Sequence, residues 1–302
     1  LRILKVREEK RMRIIRMVLG VAGLAAMVAG CSGTSSGTAS GDSFPGTPGL
    51  QLYSLRTLFA EKGVQAGLDQ SREFGFKTVE LGGTYKLKTE EFLPLLKERG
   101  LRPVSGHFAW DRWKNDPDGV AAEAKALGLE CAGCAWANHK DPFDEAQARE
   151  VIDVFTKAGM ATKKVGIRFF YHLHGFEFVR HGDETLADLL IRGTDPELVS
   201  FQMDVLWVFF PGQDPASWLL RYPGRWVSMH LKDLRKGVER GPLTGKTDVR
   251  NDVALGTGQV NWRAVLAAAK KSGVKYYFIE DESPDVLTQI PVTLQFLRDV
   301  RF

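Results

Sequence analysis

The sequence predicts an α/β fold, a closed (β/α)8 TIM barrel, on three observations. Strand-like apolar runs and amphipathic helical stretches alternate eight times after residue 50. Alternation of this kind implies a parallel sheet, and eight units in about 250 residues fit a closed barrel. The 302 residues are 44% hydrophobic and 26% charged, which excludes collagen-like, coiled-coil and fully disordered chains and suffices for a full core. A doubly wound open sheet is the rival. When that fold binds a dinucleotide it carries a Gly-rich turn after strand one, and here the turn reads Tyr53-Ser54-Leu55-Arg56-Thr57.

Each unit has its own local signals. Strand 50–54 is followed by a helix over 62–74, and Gly75 stands just past its end, where a left-handed residue is wanted. Strand 78–81 and helix 89–99 end at Gly100, and strand 103–107 and helix 117–127 end at Gly128 in the same way. Strand 130–136 leads to a helix over 143–164, with Asp141-Pro142 read as a cap before a first-turn proline. Strand 166–172 precedes helix 184–191, and strand 199–204 precedes helix 214–221. After strand 226–231 comes a connection over 233–258, long enough to be read as a lid or substrate-contact loop. Helix 261–272 stops at Gly273, and strand 276–280 leads through Ser283-Pro284 to a last helix over 284–298.

The residues before the barrel read differently. Met12-Arg13-Ile14-Ile15-Arg16-Met17 is a basic start, and 18–29 is an apolar run too short to anchor in a bilayer, the pattern of a secretory signal. The run closes on Val28-Ala29-Gly30-Cys31, which resembles the lipobox of bacterial lipoproteins, whose cysteine is lipidated and becomes the mature N-terminus. Residues 1–31 are therefore expected to be a lipoprotein signal with Cys31 as the lipidation site, and 32–49, rich in Ser, Gly, Thr and Pro, a flexible linker to a barrel over 50–302. Ser32 in the second position points to the outer membrane or cell surface. Without residues 1–30 the formal charge of +4 becomes a balance of 34 basic and 35 acidic residues, which leaves no electrostatic case for gripping nucleic acid.

Cys131 and Cys134 form a C-x-x-C, a spacing that suggests redox or zinc chemistry. On a strand, residues three apart face opposite sides at about 10 Å, beyond disulfide reach. A four-cysteine zinc site lacks its second pair. They are read as small buried strand residues.

A barrel of this kind carries its active site at the C-terminal strand ends. Those positions hold Glu80, His107, Trp136, His172 with His174, Asp204, His230 with Lys232 and Asp233, and Glu280 with Asp281 and Glu282. Four of the six histidines fall in this set. One strand-end Asp is usually a cap and one His usually a packed polar group. His172, Asp204, His230 and Glu280 on four successive strands, about 5 Å apart, instead suggest one divalent ion among Mn, Co, Zn, Fe and Mg rather than Ca. His172 and His174 share a strand face, so either could ligate.

The segments Gln51-Leu-Tyr-Ser-Leu-Arg56, Val79-Glu80-Leu81, Tyr171-His-Leu-His-Gly-Phe-Glu-Phe178, Met203-Asp-Val-Leu-Trp207, His230-Leu-Lys-Asp233 and Phe278-Ile-Glu280 resemble the xylose-isomerase-like barrel superfamily of sugar isomerases and epimerases, which also includes apurinic endonucleases. They are most similar to an exported lipoprotein subgroup of sugar phosphate isomerase/epimerases, whose fifth strand usually reads Tyr-His-Asn-His; Leu173 replaces that Asn. The resemblance implies a metal held by Glu, Asp, His and Glu of strands five to eight. Asp204, His230 and Glu280 keep their identities, and His172 stands where the first Glu would be. Epimerases of this superfamily set two opposed carboxylates on the two faces of the substrate, so the change points toward a lyase or hydratase reaction.

The expected function is a metal-dependent isomerase or epimerase acting on an unphosphorylated sugar or keto-sugar by proton abstraction beside a carbonyl, through an enediolate. The alternatives are a 3-keto-glycoside lyase or hydratase on the same metal, and a non-catalytic sugar-binding lipoprotein. Glu280, His174, Glu177 and His107 are the candidate proton acceptors and Lys232 a candidate donor, with a rim salt bridge to Asp233 as its structural reading. Glu80, Trp136, Trp207 and Phe108 are candidate substrate contacts, the aromatic rings (with Trp110) by stacking on a sugar face. The expected partner is a small-molecule carbohydrate, with homo-oligomerisation left open and membrane contact only through the lipid anchor.

Overall fold

A computed structural model describes residues 41–302. The expected signal segment, Cys31 and the expected linker up to residue 40 lie outside the described residues. Eight parallel strands close into a barrel, β1 (Gly49–Gln51), β2 (Thr78–Leu81), β3 (Arg102–His107), β4 (Cys131–Cys134), β5 (Arg168–His172), β6 (Val199–Asp204), β7 (Trp226–Leu231) and β8 (Tyr276–Ile279), with β8 pairing back onto β1. The helices that return the chain are α1 (Arg56–Glu73), α2 (Thr89–Glu98), α3 (Pro117–Ala126), α4 (Glu145–Lys164), α5 (Leu186–Arg192), α6 (Pro215–Arg221), α7 (Trp262–Ser272) and α8 (Val286–Asp299).

Several strands end on polar residues that build the mouth, Gln51 of β1, His107 of β3, His172 of β5 and Asp204 of β6 among them. β1 stops at Gln51 rather than residue 54, the chain turning at once into a short 3-10 helix, Leu52–Leu55. β8 stops at Ile279, so Glu280 is the first residue beyond it. α1 starts before the predicted helix because the stretch from Arg56 is interrupted at Gly63, whose φ of 84° kinks it. Gly75, Gly100, Gly128 and Gly273 all take the left-handed conformation expected of them.

Two cap assignments are corrected. α4 begins at Glu145 and is capped by Asp144, which accepts from Gln147 N at 2.9 Å, so Asp141-Pro142 precedes the helix without capping it. α8 begins at Val286 after Asp285, not at Pro284. Cys131 and Cys134 are free and buried, and burial pushes both thiols up to about 12, as inert strand residues require.

Residues 42–44, expected in the linker, are packed against the barrel. Ser43 bridges to Arg301, Asp42 and Phe302 exchange backbone hydrogen bonds at 2.7 and 3.0 Å, and the buried Phe44 ring packs edge-on against Tyr277. The barrel thus begins near residue 42. Among the described residues no helix is long and apolar enough to cross a membrane.

The connection after β7 is ordered by one carboxylate. Asp233–Leu234 pairs antiparallel with Asp252–Val253. Buried Asp233 accepts from the backbone N–H groups of Leu234, Gly256, Gly258 and Val260 and from Trp262 Nε1 at 2.8 Å. It therefore forms no rim salt bridge with Lys232. Between these anchors the loop crosses the barrel mouth: the Thr244 carbonyl lies where a Cβ at Gly175 would sit, and Gly245 rests on Trp136. Replacing Asp233 by Ala strands several buried donors at about 1–3 kcal/mol each. Asp233→Ala should lower the unfolding free energy by roughly 3 kcal/mol and open residues 235–258 to limited proteolysis; a wild-type urea midpoint and digestion pattern would contradict this.

Candidate active site

A cavity of about 340 Å³ opens at the C-terminal ends of the strands. Its walls carry His107 of β3, His172 of β5 with His174 beyond it, His230 of β7, and Glu280 and Glu282 after β8. Trp136 and Trp207 form apolar faces, Gln51 and Tyr53 close the β1 side, and Gly245 brings in the long loop. A Cβ at Gly245 would stand 2.5 Å from the Trp136 ring and 3.1 Å from His174 Cδ2, so the loop backbone itself is the wall there.

Three of the four predicted ligands meet, and the fourth, His172, stands beside Asp204. One oxygen or nitrogen from each of Asp204, His230 and Glu280 lies within 4.8 Å of the others, and His107, His172 and His230 make a second such trio. Asp204 Oδ1 caps the turn after β6 by accepting from Trp207 N at 3.0 Å. Its Oδ2 is buried and has no hydrogen-bond partner. That oxygen stands 3.6 Å from His230 Nδ1 and 3.9 Å from His172 Nε2. A buried carboxylate oxygen without a donor is costly, and one that faces two imidazole nitrogens fits a cation at their convergence. Two carboxylates and two imidazoles are a transition-metal donor set.

Beneath the ligands lies Glu80, fully buried. Its Oε1 accepts from Gln51 Nε2 at 2.8 Å and faces His230 Nε2 at 2.5 Å. Its Oε2 accepts from Ser105 Oγ at 2.5 Å and from Gln202 Nε2 at 2.9 Å. His107 Nε2 is 3.0 Å from Oε1. Burial would raise this carboxyl, but His107 and His230 hold it well below the usual range. A His whose second nitrogen is held by a carboxylate is the usual arrangement of a metal ligand. Glu80 does not line the cavity, so its expected role as a substrate contact gives way to one as the support of His230.

His230 thus sits between carboxylates on both sides, with Nδ1 3.0 Å from Glu280 Oε2. Burial would lower its pKa, and Glu280 and Glu80 raise it well above the ordinary value. His172 is pushed far down by burial and by His174 and His230 beside it, and His174 falls to about 3 through burial and the nearby Lys232. Both stand as neutral imidazoles.

Lys232, Glu177, Phe108 and Trp110 also lie off the cavity wall. Lys232 is buried with Nζ 2.5 Å from Glu282 Oε1, 3.4 Å from Glu280 Oε2 and 3.5 Å from Asp252 Oδ2. Burial would lower its pKa, and Asp252, Glu280 and Glu282 raise it well above the ordinary value. It is a strut among carboxylates rather than a proton donor to substrate. Glu177 accepts from Tyr171 Oη at 2.5 Å and from His174 N at 3.0 Å, and fixes the chain after β5 rather than acting as a base. The Phe108 ring packs on Trp113 outside this cavity, and Trp110 is buried against Phe155.

Sequence reasoning missed Gln51, Ser105, Gln202 and Asp252. Gln202 was readable, since two residues before Asp204 on one strand puts both on the inner face. Asp252 had no signal, being carried in by the loop.

The chain matches the family model described as xylose isomerase-like TIM barrel over residues 68–300. It is similar to the inosose dehydratase of Geobacillus kaustophilus (strain HTA426), 25% identical over 211 residues that cover 63% of this chain and 68% of that one. Among solved structures, a sugar phosphate isomerase/epimerase from Parabacteroides distasonis ATCC 8503 superposes with a TM-score of 0.69 at 22% identity, covering 90% of this chain and 98% of that one. The IOLI protein with a binding zinc atom superposes with a TM-score of 0.60 at 15% identity, covering 76% and 88%. At these identities the structural likeness speaks for the fold.

Burial pushes the Glu177 carboxyl up to about 8. A raised carboxyl keeps its proton in the folded state after the unfolded chain has lost it, so its contribution falls as pH rises from the unfolded value through about 8. Gln at 177 keeps an acceptor for His174 N without the titration. Glu177→Gln should flatten the decline of stability between pH 5 and 8, read by urea unfolding at several pH values; parallel curves for the two proteins would contradict the assignment.

Proposed function

The chain belongs to the xylose isomerase-like TIM barrel family, and from that premise we propose that it is a metal-dependent enzyme that removes the proton beside the carbonyl of an unphosphorylated keto-sugar or keto-cyclitol. The observation that carries the reading is Asp204 Oδ2, buried and unpartnered among His230 and Glu280, with His172 Nε2 3.9 Å away. A divalent ion held by these four would supply Lewis acidity to a substrate carbonyl and its neighbouring hydroxyl.

The remaining work falls to the chain. Trp136 and Trp207 offer flat apolar faces to a sugar or cyclitol ring. His107 and His174 line the cavity with unpartnered ring nitrogens, Nδ1 in both, and are placed to take and return protons. The loop backbone at Gly245 narrows the mouth and limits water.

Elimination is favoured over epimerisation. The two carboxylates in the cavity wall, Glu280 and Glu282, leave the same strand end, so among the described residues no second carboxylate faces them from across the pocket. Proton removal by one imidazole, followed by loss of the hydroxyl on the next carbon as water, needs only that one side. The likeness to an inosose dehydratase supports the same choice. Isomerisation through the same enediolate is the second reading, supported by the family.

Metal-loaded protein incubated with an inosose in D2O should exchange the proton beside the carbonyl and release water, followed by NMR. Chelator should abolish both, and His107→Ala or His174→Ala should lower kcat by about 10²–10⁴-fold. Epimer formation without water loss would select the second reading. Sugar binding that survives chelation, with no exchange in any keto-substrate, would leave a binding protein.

From residues 18–31 we further propose export and acylation at Cys31. Labelled palmitate should be incorporated in a bacterial host and lost in Cys31→Ala; equal labelling of both would refute it.

A further inference from the structure

We infer that the site is built for a zinc-class cation, one that takes imidazole nitrogen as readily as carboxylate oxygen, and that Gln202 makes it so by presenting His172 as a ligand. The inference rests on the metal-site reading above and adds which ion the site prefers and which residue decides it.

Gln202 is fully buried on β6, two residues before Asp204. Which end of its amide points where is fixed by Glu80. The Glu80 carboxylate is already an acceptor for Gln51 and Ser105 and lies 2.9 Å from one end of the amide, so that end must be the NH2 group. Ser228 Oγ, 3.0 Å away, takes its other hydrogen. The amide oxygen therefore faces His172 Nδ1 at 2.8 Å. An amide oxygen brings no proton, so Nδ1 carries it, and Nε2 is left with a bare lone pair. That lone pair is on the atom 3.9 Å from the unpartnered Asp204 Oδ2.

His230 is set by the same carboxylate without an intermediary. Its Nε2 meets Glu80 Oε1, which leaves Nδ1 facing Asp204 and Glu280. One buried carboxylate thus orients two imidazoles, one directly and one through an amide. The donor set becomes two neutral nitrogens and two carboxylates, which balances a divalent charge. Imidazole suits Zn, Co, Ni and Cu, whereas Mg and Mn suit oxygen-rich sets. A carboxylate in place of His172 would give one nitrogen and three carboxylates, a harder and more negative set.

X-ray absorption on the zinc-loaded full chain should show two imidazoles in the first shell. Competition against a chromophoric chelator gives the ratio of zinc to manganese affinity, and this ratio should fall at least about tenfold in His172→Glu. Gln202→Met should weaken zinc binding by about 10–100-fold with a smaller effect on manganese, circular dichroism checking that each variant folds. One imidazole in the wild-type shell, or an unchanged ratio in folded His172→Glu, would overturn the inference; should neither variant fold, the wild-type spectrum decides alone. Two imidazoles without turnover of any keto-substrate would leave this inference standing and remove the enzymatic reading, and one imidazole with turnover would do the reverse. Failure to bind any of these ions would remove both.

Discussion

The site depends on a single desolvated anion. Glu80 is out of contact with water at the centre of the barrel. A lone charge there would be prohibitive. It is sustained because polar groups from four other strands point at it: Gln51 from β1, Ser105 and His107 from β3, Gln202 from β6 and His230 from β7, with Ser228 of β7 completing the amide. Strand register makes this convergence, since Gln51 pairs with Glu80 and Asp204 with His230 across the closed sheet. The barrel is therefore a frame that brings polar groups far apart in the chain into one hydrogen-bonded layer, and the cavity chemistry is built on top of that layer.

Much of this was legible in the sequence. Strand and helix alternation gave the barrel because eight half-buried units leave few other ways to cover both faces of a parallel sheet. β2, β6 and β7 fell on their predicted residues. His172, Asp204, His230 and Glu280 were found by position alone, because a strand end fixes direction as well as place. What was not legible has a common cause. The distinction between a residue in the cavity wall and one beneath it depends on depth along the barrel axis. Glu80, Glu177 and Lys232 are polar, close to strand ends and inward, yet all three are buried beneath or beside the wall. Asp252 and Gly245 reach the site through a loop whose path depends on Asp233, a contact between residues some twenty apart that no local pattern encodes.

His172 ties the chemistry to the frame. Set against the carboxylate that the sequence resemblance implies at the end of β5, an imidazole differs in charge, donor type and the need for a second supporting residue at once. A carboxylate needs no tautomer fixed; an imidazole does, and Gln202 stands beside it with the matching amide. Across the pocket the same difference leaves imidazoles of β3 and β5 opposite carboxylates of β8, an asymmetric pair of walls suited to moving a proton on one side of a ring.

Lys232 links two parts of the molecule that are otherwise separate. Its ammonium touches Glu280, which belongs to the ion-binding cluster, and Asp252, which travels with the loop across the mouth. Lifting that loop would strip the ammonium of one counter-charge and draw it toward the carboxylates that stay behind, weakening Glu280 as a donor. Access to the cavity and the charge balance around Glu280 are thereby linked through one side chain.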